Sequence, residues 1–353
     1  MIRKLFFPLD FSNLKFRLYC ASKNLLVLTT IYLSACSSLQ KQNISDPVAV
    51  NNFINKMVVK HHFYQQDLNQ LLNSVEIKSD IINKVSKPAE SMPWYKYRQI
   101  FITDSRVEQG VKFWQENANT LEVVSKETGV PAEIIIAIIG VETLYGQKMG
   151  TYRVVDALYS LAFAYPPRSQ FFTNELEQFL LLCRDEQINP LEPLGSYAGA
   201  MGAPQFMPSS YQVYAVDYDG DGHRDIWHNK NDEIASVANY FKKHGWQPGQ
   251  EILVPVSATG EKYKKVLSEG LKPNLRVEEL DLANLKTLRS LPLNTKVKLL
   301  SFEMEASEQG NREELWAGLE NFYVITRYNH SPLYALAVYQ LSQAILNKKG
   351  EFP

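Results

Sequence analysis

Apolar residues in the first third of the chain recur at intervals of three and four. Val50, Phe53, Ile54, Met57 and Val58 form one stripe, and Val107, Val111, Trp114, Ala118, Leu121 and Val124 form another over about 104–126. This period predicts amphipathic helices, each with one face on a core. At Pro131 the pattern changes, because 132–141 is apolar on nearly every side apart from Glu133. Such a run predicts a buried helix, with the proline in its first turn and Gly146 beyond its end. Further helices are predicted over 173–184, over 232–243 with Gly245 as the stop, and over 333–346. From about 250 to 325 the texture shifts to short segments, 251–256, 296–304 and 322–325, where β-branched and aromatic residues alternate with polar ones. They predict a small β-rich subdomain inserted in a helical protein. The apolar phase slips at Leu299-Leu300, which predicts a bulge. The fold class expected is therefore α+β, mainly α.

The N-terminus has a different pattern. Arg3, Lys4, Lys15, Arg17 and Lys23 precede an apolar stretch from Leu25 to Ala35, which is too short to span a bilayer and has the layout of a secretory signal. It ends in Leu33-Ser34-Ala35-Cys36. Small residues before a cysteine at that place resemble a bacterial lipobox, in which Cys36 is lipidated and becomes the first mature residue. The plain alternative is an ordinary signal or a short anchor. Ser37, where an Asp would retain a lipoprotein at the inner membrane, points to the outer membrane. The polar segment 37–46 then reads as a tether.

Composition narrows the class. The 353 residues are 45% hydrophobic and 21% charged, an ordinary globular balance that excludes disorder and a multi-span membrane protein. With 37 basic and 38 acidic residues the net charge is −1, and nucleic-acid binding, which shows as a clustered basic domain, is excluded. Five basic residues and one acid leave with residues 1–35, so the mature chain carries 32 basic and 37 acidic residues, a net −5. Of three cysteines only Cys183 remains as a thiol, so no internal disulfide is expected. No oligomerisation signal is visible, and a monomer is expected.

The residue with the sharpest chemistry is Glu142, in Gly140-Val141-Glu142-Thr143 near the C-terminal end of the most apolar helix. Desolvation and the negative end of the helix dipole both disfavour its carboxylate. A carboxylic acid held protonated near neutral pH is what general-acid cleavage of a glycosidic bond needs. Burial alone equally fits a structural Glu paired with an Arg or capped by hydrogen bonds. The run Gly195-Ser196-Tyr197-Ala198-Gly199-Ala200-Met201-Gly202-Ala203-Pro204-Gln205-Phe206 mixes glycine, which lets backbone approach a ligand closely, with hydrogen-bonding side chains. That suits a sugar polymer, and suits a tight structural loop as well. Asp217-Tyr218-Asp219-Gly220-Asp221-Gly222-His223 fits the opening of a calcium loop, with oxygen ligands at positions one, three and five and glycine at six. The twelfth position is His228 instead of a bidentate Glu, and Asp232 at a helix start is placed to close a longer loop. His223 would then offer its backbone carbonyl. Zinc does not fit these oxygen donors. In Arg327-Tyr328-Asn329-His330-Ser331-Pro332-Leu333-Tyr334, Ser331 is placed to cap the last helix with Pro332 in its first turn. Tyr328, Asn329 and Tyr334 are left as candidates for a site.

Together these blocks resemble the membrane-bound lytic murein transglycosylase B family. They are the lipobox, the Gly-Val-Glu-Thr at Glu142, Arg168 before Phe171-Phe172, the glycine run through Gln205, the calcium loop followed by Ser236-Val237-Ala238-Asn239-Tyr240, and Thr326 to Ser331. The resemblance spans nearly the whole mature chain. It implies a goose-lysozyme-like helical core with a helical lobe and a small β lobe, and cleavage of the β-1,4 bond between N-acetylmuramic acid and N-acetylglucosamine in peptidoglycan. It implies that Glu142 protonates the leaving oxygen and then, as base, deprotonates the muramic C6 hydroxyl, which closes a 1,6-anhydro ring. It places Ser196, Gln205, Tyr328, Asn329 and Tyr334 along the sugar subsites, and Arg168 on the substrate's peptide or carboxylate. Pro167 stands where relatives often carry a second arginine. A structural Ca2+, and no organic cofactor, is implied at Asp217, Asp219, Asp221, His223 and Asp232. The implied organisation is a lipoprotein signal peptide (1–35), lipidated Cys36 and tether (36–46), a helical lobe (47–130), a catalytic core with the calcium loop (131–248), a β-rich lobe (249–325) and a C-terminal segment returning to the core (326–353). The protein would face the periplasm from the outer membrane on its lipid, beside proteins of cell-wall synthesis or division. Two other readings remain: a muramidase that uses water, with Asp156 or Asp185 as a second carboxylate, and a glycan-binding lipoprotein without catalysis.

Overall fold

The computed structural model describes residues 46–86, 92–307 and 310–351. The expected signal peptide, Cys36 and nearly all of the expected tether lie outside these residues. The first helices are α1 (Pro47–His61), α2 (Gln65–Asn73), α3 (Ser79–Ser86), α4 (Trp94–Phe101), α5 (Asp104–Glu116), α6 (Ala118–Thr128) and α7 (Ala132–Thr143). A two-stranded antiparallel pair, β1 (Tyr152–Arg153) and β2 (Leu194–Gly195), brackets α8 (Val154–Ala164) and α9 (Ser169–Asp185). Then come α10 (Pro208–Tyr214) and α11 (Lys230–Lys243). The β lobe holds β3 (Leu253–Ala258), β4 (Leu275–Arg276), α12 (Val277–Leu280), β5 (Leu285–Thr287), β6 (Lys296–Ser307) and β7 (Gly310–Gly318), antiparallel in the order β4-β6-β7-β3-β5. The chain closes with α13 (Glu320–Tyr328) and α14 (Pro332–Gly350).

Three cores hold these elements. One is centred on α7, whose residues from Ile134 to Val141 are all buried, against α4–α6, α11, α13 and α14. A second joins α1–α3 to α8–α10, so the cores cut across the expected division at residue 130. The third fills the β lobe.

Four local expectations need correction. The stripe over 104–126 is two helices, because Asn117 leaves helical geometry (φ −121°, ψ 24°) and its amide Nδ2 donates to Phe113 O at 2.8 Å. A side chain that bonds nearby backbone competes with the helix. The phase shift leaves Ala118 exposed and buries Phe113. Pro131 is the N-cap of α7 (φ −60°, ψ 140°), one place before its first turn. Residues 322–325 are helical within α13, although Val324-Ile325 are β-branched. There Phe322, Val324 and Ile325 are all buried, and burial outweighs propensity. At Leu299-Leu300 there is no bulge: these residues pair in register with Ala317 and Trp316, and the irregularity lies between Met304 and Ser307. Both leucines are buried because β6 is covered on both faces, Leu299 in the β-lobe core and Leu300 in the α7 core.

Candidate active site

Glu142 occupies the last turn of α7, and the chain leaves that helix under strain. Leu144 (φ 51°) and Tyr145 (φ 61°) both adopt the left-handed region, followed by Gly146 (φ 86°). Two consecutive non-glycine residues there cost stability and persist only where their surroundings over-determine them. Thr143 supplies part of that constraint. It is fully buried, its hydroxyl lies 2.9 Å from Ala203 O and 3.2 Å from Ile139 O, and it accepts the Gly146 N–H at 3.0 Å. Tyr145 donates its hydroxyl to Arg106 O at 2.7 Å, and its ring fills the place a side chain on Gly140 would need, 2.7 Å from that Cβ position. The strained turn thereby fixes the end of the helix that carries the carboxyl.

The Glu142 side chain is half-buried and receives one hydrogen bond, from the Tyr334 hydroxyl to Oε1 at 2.6 Å. Burial pushes the carboxyl up to about 7, against the pull of that hydrogen bond, and no second carboxylate contributes. Tyr334 comes from the first turn of α14, which Ser331 caps by accepting the Tyr334 N–H at 3.3 Å. The cap foreseen in the sequence therefore sets the residue that touches Glu142. Tyr328, from the end of α13, stacks on Tyr334 with ring centroids 6.5 Å apart and donates its hydroxyl to Pro204 O at 2.6 Å. The Glu142 charge reaches Tyr97, Tyr328 and Tyr334, raising each hydroxyl, although burial is the larger cause in all three.

The glycine run folds against this cluster. Gln205 is itself left-handed (φ 52°), with its amide donating to Gly202 O at 2.9 Å and Met149 O at 3.1 Å. Ser196 accepts the amides of Ala200 and Ala198. Asn329 is exposed just past α13, and its carbonyl accepts the Ser331 N–H at 2.7 Å. Arg168 is exposed at the start of α9, its guanidinium over the rings of Phe171 and Phe172 at 4.4 and 5.0 Å. Glu142, Tyr328, Tyr334 and the loop carrying Gln205 thus converge, while among the described residues no hydrogen bond joins Ser196, Asn329 or Arg168 to the carboxyl.

Two tyrosines escaped sequence reasoning. Tyr97 of α4 lies within the field of Glu142, and its only sequence signal is an aromatic-rich helix. Tyr240 of α11 packs on Tyr328, 4.6 Å between centroids, and donates to Arg327 O at 2.6 Å.

The other acidic residues separate into distinct kinds. Asp156 is buried and held by Arg153 at 2.8 Å through both oxygens, and Asp185 is exposed beside Arg184. Glu233 is also pushed up to about 7 by burial, but Lys230 clamps its two oxygens at 2.7 and 2.9 Å. The acidic loop brings Asp217, Asp219 and Asp221 together, with one oxygen of each within 4.8 Å of the others. Among the described residues no Lys or Arg ion pair reaches them. Asp217 accepts the amides of Gly220, Asp221 and Gly222, which curls the loop. Such a set of unpaired hard oxygen donors fits a calcium ion. Asp232 is fully buried outside that trio and accepts Tyr218 N and Asp225 N, both at 2.8 Å, tying the loop's two ends. Burial pushes it up to about 6, and Asp219 and Asp217 add to the effect. The His223 imidazole is half-exposed, 3.8 Å from Glu186.

Known proteins share this sequence and fold. The sequence model of the family described as Transglycosylase SLT domain matches residues 46–343. Membrane-bound lytic murein transglycosylase B of Escherichia coli strain K12 is 44% identical over 303 residues, covering 83% of this chain and 81% of that protein. Soluble lytic transglycosylase SltB1 from Pseudomonas aeruginosa superposes with a TM-score of 0.81 at 47% identity, covering 85% of this chain and 99% of the other. Lytic transglycosylase Slt35 from Escherichia coli, solved in complex with calcium, superposes at 0.79 and 42% identity, covering 86% and 94%.

Proposed function

Because the chain belongs to the Transglycosylase SLT domain family, it is a peptidoglycan-cleaving lytic transglycosylase of lysozyme-like fold, and we propose that Glu142 alone carries its acid and base chemistry. In the first half, the Glu142 carboxylic acid gives its proton to the glycosidic oxygen as the bond from muramic C1 breaks, and the N-acetylglucosamine leaves as an alcohol. The substrate's own acetamido group steadies C1. In the second half, the Glu142 carboxylate takes the proton of the muramic C6 hydroxyl, whose oxygen attacks C1 and closes the 1,6-anhydro ring. The proton returns to Glu142, and no water enters the product.

One observation carries this reading: a carboxyl pushed up to about 7 with a tyrosine hydroxyl as its partner and no second carboxylate acting on it. A group poised near the working pH can both give and take a proton. Two-carboxylate glycosidases instead need the second group within about 5–10 Å. Tyr334 orients Glu142, while Ser196, Gln205, Tyr328 and Asn329 line the sugar subsites and Arg168 meets a carboxylate of the substrate. Calcium is held by Asp217, Asp219, Asp221 and the carbonyl of His223, with Asp232 closing the loop behind them. It supplies structural cohesion only. No helix among the described residues is long and apolar enough to cross a membrane. We assign membrane attachment to a lipid on Cys36, in the outer membrane facing the periplasm.

The test is mass spectrometry of fragments released from purified sacculi. Fragments one water lighter than hydrolytic products, without a reducible end, are expected. Reducible ends would establish a water-using muramidase instead, and absence of release would leave only glycan binding.

A further inference from the structure

The strained turn after Glu142 has a second holder besides Thr143, and it comes from α11. A Cβ built on Gly146 would lie 3.2 Å from Lys230 Nζ, and apart from the turn's own neighbours no other atom among the described residues comes within 4 Å of that position. The Lys230 ammonium is therefore what covers this side of the glycine. Gly146 itself is left-handed (φ 86°), with its N–H on the Thr143 hydroxyl at 3.0 Å. Its N–H is thus held from within α7, and its open side by a cation from another helix.

A lysine is out of place at this position of its own helix. Lys230 is the first residue of α11, where the partial positive charge of a helix N-terminus disfavours a cation. The end of α7 favours one, and α7 has no basic residue in its own last turn. What keeps Lys230 there is Glu233, one turn on, whose two oxygens accept from the ammonium at 2.7 and 2.9 Å. The Glu233 side chain is fully buried, and among the described residues no other hydrogen bond reaches those oxygens. Asp232, between them in sequence, turns instead to Tyr218 N and Asp225 N of the acidic loop, so the pair is separate from the calcium ligands. An ion pair with one partner wholly out of water contributes little net stability, and apolar side chains of similar volume often serve as well or better. Stability alone does not account for this pair.

We propose that Lys230 and Glu233 are positioning residues for Glu142: Glu233 aims the ammonium at Gly146, the ammonium holds the strained turn, and the turn fixes the helix end that carries the carboxyl. The inference rests on Glu142 as the acid and base of the reaction, and it adds two residues that act through the turn alone. Leu144 and Tyr145, both left-handed, persist only while their surroundings over-determine them. Without the ammonium the turn can relax, and a displacement of about 1 Å at a reacting group can cost about 10²-fold in rate.

The test is the double variant Lys230→Met/Glu233→Leu, which exchanges the pair for apolar side chains of similar size. Its melting temperature should stay close to that of the wild type. Its kcat on soluble peptidoglycan strands should fall about tenfold with KM unchanged, the pattern of an interaction used only in the transition state. Lys230→Arg keeps the cation and should keep kcat. If the double variant melts well below the wild type, Glu233→Gln carries the same test, because it keeps the shape and frees Lys230, and kcat should again fall at constant KM. An unchanged kcat, a loss that shows only as a higher KM, or a Lys230→Arg as slow as the double variant overturns the proposal. If Glu142→Gln, assayed beside them, cleaves at the wild-type rate, the reading of Glu142 itself fails, which is a different result.

Discussion

The end of α7 and the acidic loop at 217–221 both depend on carboxyl groups, and they treat them in opposite ways. At α7 a single carboxyl sits in an apolar helix with a tyrosine hydroxyl for company, and its proton is retained to about 7. At the loop three carboxyls crowd within 4.8 Å, two of them exposed, with backbone amides beside them and, among the described residues, no Lys or Arg ion pair. Desolvation penalises charge at the first place, and water tolerates it at the second. One residue type is thus suited to hold a proton or to face a cation according to how many neighbours it has and how much water reaches it.

The comparison breaks most completely at Glu142. Glu142→Gln keeps the shape and removes the proton, so cleavage of sacculi should fall by at least ~10³-fold, the upper half of the 10²–10⁴ usual for general acid–base catalysis, because one group serves both halves. Sacculus binding should persist. A variant that still cleaves at a normal rate would remove Glu142 from the mechanism. Stability should move the other way. The folded carboxyl titrates near 7 and the unfolded one near 4.5, so the native state binds the extra proton. Its cost is absent below 4.5, grows between 4.5 and 7, and is complete above 7. Glu142→Gln should therefore melt higher than the wild type at pH 8, by an amount on the order of 1–3 kcal/mol, and the gain should vanish at pH 4. Equal melting temperatures at pH 8 would mean that the carboxyl is not desolvated.

The next effect comes from Thr143, which connects the strained turn to the glycine run. Thr143→Val keeps the volume but leaves the Gly146 N–H and Ala203 carbonyl without that partner, which costs about 1–3 kcal/mol. The melting temperature should drop and kcat/KM should fall on the order of tenfold as the carboxyl loses its fixed position. Thr143→Ser should restore both, and failure of that rescue would reduce Thr143 to a packing residue.

The same positions show what was legible in the sequence. Thirteen residues carried most of it: Pro131, the apolar run 132–141, Glu142 and Gly146 announced a buried helix with an out-of-place carboxyl. The D-x-D-G-D-G spacing announced the loop, and Ser331-Pro332 announced the cap that places Tyr334. Each of these signals is local, within a turn or two of backbone. What escaped depends on partners distant in sequence. Tyr97 and Tyr240 matter because α4 and α11 converge on Glu142 and Tyr328, and no spacing reveals that. Leu299-Leu300 resembled a slipped phase because a strand covered on both faces has no polar side to alternate with. Val324-Ile325 resembled a strand because β-branched residues favour one until a buried helix overrides them.

A subtler change would sharpen the comparison by altering the partner of Glu142 rather than Glu142 itself. The Tyr334 hydroxyl stabilises the carboxylate and so lowers its pKa against the effect of burial. In Tyr334→Phe that restraint is absent, and the alkaline limb of the pH–rate profile should move to higher pH. The maximal rate should fall only a few-fold, because the second half of the reaction needs the carboxylate that Tyr334 supports. A limb that stays near 7 would show that the profile reports some other group.

The smallest effect on rate is expected at the acidic loop, where the proposed calcium ion would contribute cohesion rather than chemistry. Three carboxylates this close repel one another, by about 1 kcal/mol per pair in water at 4 Å and more where solvent is excluded. A dication that binds only the folded loop cancels the repulsion and stabilises the native state by mass action, about 2.7 kcal/mol at one hundred times its dissociation constant. Chelation during thermal unfolding should therefore lower the melting temperature by several degrees, and Asp219→Asn should melt low with or without chelator. The loop leads through Ile226 O, which accepts the Ala203 N–H at 2.9 Å, to the same Ala203 whose carbonyl lies by Thr143. Loosening it should cost less rate than Thr143→Val, and only near the melting temperature. A melt indifferent to chelator would sink the calcium assignment. A large loss of rate at 25 °C without unfolding would show instead that the two carboxyl regions, opposite in chemistry, are coupled through Ala203.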